Sequence, residues 1–254
     1  MITYYLTQTQ RLLQNPGAPT TLYSTSDLTS YINTMRGQLA GEGECIHLVG
    51  TITTVIGQRE YFFSNIAVSG AGVQGVLHVR RIQYAVGTGY KWITPRGWEW
   101  FELYGLNNPV PLNNVPKMWA QHSQGSSGLG TITNVGGGSI ASGSFWLDPP
   151  PDLNYQLNLD CICYPIALAS DSDPEAIPYE WTDAVPFGAA WMALLSAQTS
   201  ARMAEAEKYL SYFQAYAQKA RQYSNPDVLK YQYMQQPNIA LPGQLGVSMG
   251  KGGQ

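Results

Sequence analysis

Charge is what this chain has least of. Charged side chains make up 12% of the 254 residues, about half of the roughly 25% usual in soluble domains. Basic and acidic groups nearly balance, at 14 against 17 and a formal net charge of −3. No global field therefore draws the protein to nucleic acid or to an anionic membrane. Cysteine is also scarce: Cys45, Cys161 and Cys163 are odd in number and sparse, so no disulfide framework is expected and a reducing compartment fits. The start, Met1-Ile2-Thr3-Tyr4-Tyr5-Leu6, has no basic or apolar stretch of a secretory signal. The longest nearly apolar run, Phe187 to Ala197, is too short for the roughly 20 residues that span a bilayer, and no membrane partner is expected.

Apolar residues reach 44%, an ordinary globular share, and tyrosine and tryptophan are plentiful at 17 and 7. A surface of Ser, Thr, Asn, Gln and Tyr in place of charge is poorly protected against adhesion, which suits a protein built into an assembly.

Periodicity divides the chain into four parts. Residues 1–44 read as a helical pair, the first from Thr3 to Gln14. In the second, Leu28, Tyr31, Ile32, Met35 and Leu39 form an apolar stripe, Ser24 and Asp27 fit a capping box, and Gly41 and Gly43 supply the stop. Residues 45–168 change to strand-like runs at Ile46–Thr53, Arg59–Ser64, Val73–Tyr84, Trp98–Tyr104, Lys117–His122, Gly143–Leu147 and Tyr155–Pro165, separated by Gly, Pro and Asn turns. Residues 169–223 contain helical spacing from Phe187 to Arg221, read as one helix about 52 Å long with Pro186 at its start. Residues 224–254 read as a short helix through Gln236 and an extended, Gly-rich arm. The expected fold class is α+β: a helical bundle from both chain ends with an inserted antiparallel β-sandwich or barrel-like domain.

Motifs of chemistry are missing. Gly128-Leu129-Gly130 and Gly136-Gly137-Gly138 lack the Lys-Ser/Thr ending of a phosphate loop. Cys161 and Cys163 share a strand face without the further ligands of a zinc site. His47, His78 and His122 join no recognisable triad, and Asp171, Asp173 and Glu175 lack the glycine and distal glutamate of a calcium loop. No catalytic residue, metal or cofactor is assigned. Trp92, Trp98, Trp100 and Tyr104 fit a β core, a subunit contact or a sugar platform. The cations Lys91, Arg96 and Arg80-Arg81 are too few for a nucleic-acid face.

A more specific pattern runs from Asp152-Leu153-Asn154-Tyr155-Gln156-Leu157 through Tyr164-Pro165, Asp171-Ser172-Asp173-Pro174-Glu175-Ala176-Ile177-Pro178 and Trp181-Thr182-Asp183-Ala184-Val185-Pro186 into an Ala/Leu/Tyr-rich helix. With Asp27-Leu28, Tyr31-Ile32-Asn33, Arg36 and Gly41-Glu42-Gly43-Glu44, it resembles the head-to-tail adaptor (neck, or tail tubular) proteins of short-tailed bacteriophages. The resemblance covers both helical ends, somewhat over a third of the chain, while the β region matches only in type. It implies a non-enzymatic ring, usually dodecameric, that joins the portal to the tail and extends the DNA channel. Its partners would be further copies of itself, the portal protein, tail nozzle, tube or fibre proteins, and double-stranded DNA passing without sequence-specific contact. Its place would be the neck of the virion, after synthesis in the bacterial cytoplasm. Tyr31, Met35, Trp191, Leu194, Leu210 and Phe213 would then form the subunit core and ring wall. Asn225, Asp227, Leu229, Tyr231, Tyr233, Met234, Ile239, Leu241 and Leu245 would form an arm contacting the portal or a neighbour. The rival reading is a carbohydrate-binding module using Trp92, Trp98 and Trp100, and a third is a hydrolase using Asp148, Asp152 or Glu102.

Overall fold

A serine begins the first long element. In the computed structural model, which describes residues 1–14, 22–86, 89–105, 112–122, 143–196 and 200–224, the Ser24 hydroxyl accepts from the Asp27 amide at 3.1 Å and opens helix α2, Thr25–Gly43. This is the expected cap. The expected stop is displaced: Gly41 and Gly43 remain helical, and Glu44 takes the left-handed conformation at φ 47°. Helix α1, Ile2–Leu12, precedes it.

Among the described residues eight strands follow: β1 His47–Thr53, β2 Glu60–Phe62, β3 Ala67–Val68, β4 Val73–Val86, β5 Gly89–Pro95, β6 Met118–Gln121, β7 Ser144–Asp148 and β8 Gln156–Pro165. They form one sheet in the order β2-β7-β6-β5-β4-β8-β1-β3. Eight flat strands would set the two edges about 34 Å apart. Yet the edge strands β2 and β3 are joined only by Phe63–Ile66, a link that reaches about 17 Å when fully extended. The sheet must therefore curl.

The sheet is mixed, which corrects the all-antiparallel expectation: β5 and β6 run parallel, as the long Arg96–Lys117 connection between them permits. Residues Trp98–Tyr104 are not a strand. They form a helical turn, α3 Trp98–Trp100, continued by a wider turn, Phe101–Gly105. Their aromatic content favours strand, but Pro95-Arg96-Gly97 ends β5 and the residues that follow wind locally.

The single 35-residue helix is also corrected. Helix α4, Ala184–Ser196, and helix α5, Ser200–Ser224, fold back on each other. Phe187 meets the rings of Tyr209, Tyr212 and Tyr216, and Leu194 shares an apolar cluster with Ala206. Gln198-Thr199-Ser200 interrupts the apolar spacing that read as continuous. Close approach of α2, α4 and α5 requires Gly188, where a Cβ would lie 2.5 Å from Met35 Cε and 3.0 Å from Phe213 Cδ2.

One polar group in this core stands out. The Arg36 guanidinium on α2 is 1% exposed and pairs with Glu175 through Nη2–Oε1 at 2.6 Å and Nε–Oε2 at 3.1 Å. Its Nη1 donates to the Ile166 carbonyl at 2.6 Å and to Asn33 Oδ1 at 3.2 Å. Glu175 also accepts from the Tyr5 hydroxyl of α1 at 2.9 Å and from the Ile177 amide at 3.0 Å. Burial beside this carboxylate pushes the Tyr5 phenol far above its ordinary value, so it remains a donor. The C-terminal unit of the chain, residues 225–254, lies outside the described residues.

Removing one partner of the buried pair strands a charge. Glu175→Gln and Arg36→Met are each expected to cost about 3–5 kcal/mol in urea unfolding, with the double variant losing less than the sum. Gly188→Ala should cost about 1–3 kcal/mol by overpacking. Gly97→Ala, where a Cβ would meet nothing within 4 Å, should be neutral or stabilise by up to ~1 kcal/mol in the same assay.

Candidate functional site

Strand alternation sorts the side chains of β5, β4, β8 and β1 onto two faces. Inward go Ile82, Tyr84, Ile93, Leu157, Leu159 and Cys161, all buried. Outward, cross-strand register places Val49 opposite Asp160, Thr51 opposite Asn158, Arg81 opposite Asp160, and Gln83 between Asn158 and Trp92. Gln156, Ala85 and Tyr90 extend this face to its open end. At its other end the face is covered: Ile162 is fully buried, and the Tyr164 ring lies on α2 at Gly37, where no Cβ would fit.

The exposed end holds a groove of about 330 Å³ lined by Arg80, Arg81, Trp92, Ile93 and Pro95. Trp92 is 62% exposed, with the Arg81 guanidinium carbon 5.9 Å from its ring centroid. Arg80 reaches the other way, to the Ser224 carbonyl at the end of α5 (3.1 Å) and towards Asp160 (3.9 Å). His47 Nδ1 lies 3.4 Å from Asp160 Oδ1, and the hydrogen bond with His47 holds the Asp160 carboxyl below its ordinary range.

The aromatic strip divides. Trp92 stands on β5, whereas Trp98 packs 4.1 Å from the His122 ring and against Phe101 and Trp146, and donates to Glu102 at 3.0 Å. Trp100 meets Phe101 and carries Arg96 at 5.9 Å. The side chain of Tyr104 lies outside the described residues. What sequence reading missed is the union of Arg81 with Trp92. Antiparallel pairing of β4 with β5, with Gln83 opposite Trp92, makes them diagonal neighbours.

The acidic turn after β8 is structural. Asp171 accepts from the Met1 amino group at 2.7 Å and from the Thr3 amide at 2.9 Å. Asp173 accepts from the Ala169 and Ser170 amides. Each of the three proposed acid/base carboxylates has a different local partner: Arg59 for Asp148 at 3.5 Å, the Tyr155 hydroxyl for Asp152 at 2.7 Å, and Trp98 for Glu102. Burial raises the Asp148 carboxyl. His78 is half-buried in β4, and burial lowers its ring. Among the described residues no group of three His, Cys, Asp or Glu side chains is placed to hold a metal ion.

Of the predicted subunit-core residues, Met35, Phe213 and Leu194 are buried, Tyr31 and Trp191 are half-buried against the same helical clusters, and Leu210 is half-buried. The arm residues Asn225, Asp227, Leu229, Tyr231, Tyr233, Met234, Ile239, Leu241 and Leu245, with both glycine clusters, lie outside the described residues. No protein-family model matches the chain, and no curated protein matches it.

The three cysteines are free and buried, and burial pushes each thiol up to about 12. Thiolate is the reactive form. A colorimetric thiol reagent should therefore leave all three untouched in the native chain at neutral pH and label them on denaturation.

Proposed function

We propose that the chain is a structural subunit of a closed ring, dodecameric by the resemblance, that links portal to tail in a short-tailed phage. In this reading the terminal helices act as a bundle carrying the curled sheet as an inserted, barrel-like domain. The ring extends the channel, helps retain and eject the genome, and lets DNA pass without sequence-specific contact. The chain then acts by assembly and performs no catalysis, and its place is the virion neck.

The observation that carries this reading is a set of large apolar side chains exposed on a chain poor in charge. Val49, Tyr90, Trp92, Leu112, Leu153 and Tyr179 are each more than half exposed. Isolated exposed apolar groups are ordinary; a rigid collection on a weakly charged body favours burial against neighbours. Supporting it, the residues of the resemblance hold the scaffold together: Arg36 with Glu175, Asn33 with Leu168, and Trp181 to Pro186 at the start of α4. Electron microscopy of the purified chain, alone and mixed with the cognate portal, tests the proposal. A closed ring coaxial with the portal is expected; a chain that stays monomeric and leaves the portal bare overturns it.

Exposed Trp92 also favours a second reading, a carbohydrate-binding module. Trp98 and Trp100, spent against Phe101 and His122, give it little help. It predicts saturable glycan binding by a monomer, lost in Trp92→Ala.

A further inference from the structure

Charge is sparse in this chain but also segregated. From Tyr61 to Trp98 there are four cations, Arg80, Arg81, Lys91 and Arg96, and no Asp or Glu. From Met118 to Ala201 there are eight carboxylates and no Lys or Arg. The first segment builds the Arg80–Arg81–Trp92 groove on the sheet. The second contains an aromatic side chain with no cover.

Tyr179 is 83% exposed. It opens a short 3₁₀ turn, Tyr179–Trp181, preceded by Pro178. The turn is fixed from behind: Trp181 packs 5.8 Å from the Tyr223 ring, and the Thr182 hydroxyl donates to the Tyr179 carbonyl at 2.8 Å. Glu180 and Asp183, both exposed, follow the tyrosine in sequence, and Asp183 accepts from the Tyr4 hydroxyl at 2.6 Å. A turn held from behind thus presents an aromatic ring, with two carboxylates close after it in the chain. The groove presents the complement, apolar walls of Trp92 and Pro95 beside the Arg81 guanidinium, with Arg80 turned towards Asp160 and the end of α5. Tyrosine, tryptophan and arginine are the side chains that dominate binding energy at protein interfaces, and one seated tyrosine buries about 150–250 Å².

We propose that Tyr179 of one copy seats in the groove of a second copy, with Glu180 and Asp183 facing the Arg80 and Arg81 side. This rests on the ring reading above and names the surfaces that would close the ring. Knob and groove are different patches of one chain, so each copy offers a groove to one neighbour and a knob to the other. Such a heterologous contact propagates around a ring when the rotation closes.

Cysteine cross-linking tests it on the full chain, because the native thiols are buried. Thr94→Cys places a thiol beside the groove and Glu180→Cys places one beside the knob, both at exposed positions. With a short bismaleimide, the mixed variants should cross-link at least about tenfold faster than either alone. Adding Tyr179→Ala to the Glu180→Cys chain should slow the reaction by about thirtyfold, the loss typical of a central interface anchor. Equal rates in mixed and single samples, or no effect of Tyr179→Ala, overturn the proposal. A chain carrying both cysteines separates the two levels. A ladder beyond two copies supports knob, groove and ring together, while a product that stops at the dimer keeps the contact and removes the ring. Rings seen by microscopy without cross-links remove the contact and keep the ring.

Discussion

The first two helices and the chain leaving β8 are placed by the pair of Arg36 and Glu175, which lie 139 residues apart in sequence. Glu175 receives α2 through Arg36, α1 through Tyr5 and its own turn through the Ile177 amide. Arg36 in turn holds the chain as it leaves β8, at the Ile166 carbonyl, and Asn33 bonds both polar groups of Leu168. A buried ion pair yields little net stability over a well-packed apolar substitute, because both charges are desolvated. What this one contributes is position. An apolar contact tolerates sliding, whereas a two-pronged hydrogen-bonded pair accepts one rotation of α2 and one path for the turn. The acidic sequence after β8, the nearest thing to a calcium loop on inspection, is spent on this docking and on holding the start of α1.

Curling follows from the same economy of chain. Because Phe63–Ile66 joins the two edge strands directly, neither edge can drift away, and the apolar side chains of β4, β5 and β8 turn towards a shared interior with those of β6 and β7. The opposite face of β1, β8, β4 and β5 is left to solvent as Thr, Gln, Asn, Asp, Arg and Trp. Among the described residues, helices cover the part of it near Ile162 and Tyr164. The fold thus separates a helical end, which closes on itself, from a sheet end, which does not.

Much of this was legible. The Ser24–Asp27 cap and the i, i+3, i+4 stripe of α2 are local signals, and β1 and β8 alternate as half-buried strands do. Local signals also misled. Trp98, Trp100 and Tyr104 carry high β-propensity, yet that stretch winds into turns because tertiary context decides such short aromatic runs. Phe187 to Arg221 keeps helical spacing on both sides of Gln198-Thr199-Ser200, so the fold-back is written in three polar residues and nowhere else. Glu44 takes a left-handed cap that the neighbouring glycines advertised. The Arg36–Glu175 pair had no readable signature, since no period or spacing links residues so distant. Of the two short strands whose junction forces the curl, β2 falls within the expected run Arg59–Ser64, while β3, two residues long, was too short to register as a pattern.

The fold-back changes what the surface must explain. A continuous helix of about 52 Å would have demanded neighbours by its length alone. Two helices packed on each other make no such demand, since Phe187, Tyr209, Tyr212 and Tyr216 satisfy one another within the chain. The case for assembly therefore moves from shape to chemistry. Trp92 and Tyr179 stay in water although the chain has apolar partners enough for most of its other rings, and rigid local structure holds both where they are. Sparse charge does little to keep copies apart, and its distribution sets the Arg81 guanidinium beside one exposed ring and the Glu180 and Asp183 carboxylates near the other in sequence. Between copies of a chain that carries both, that difference is attractive in one orientation and repulsive when like faces meet, which is how a weakly charged surface can still select a direction of growth.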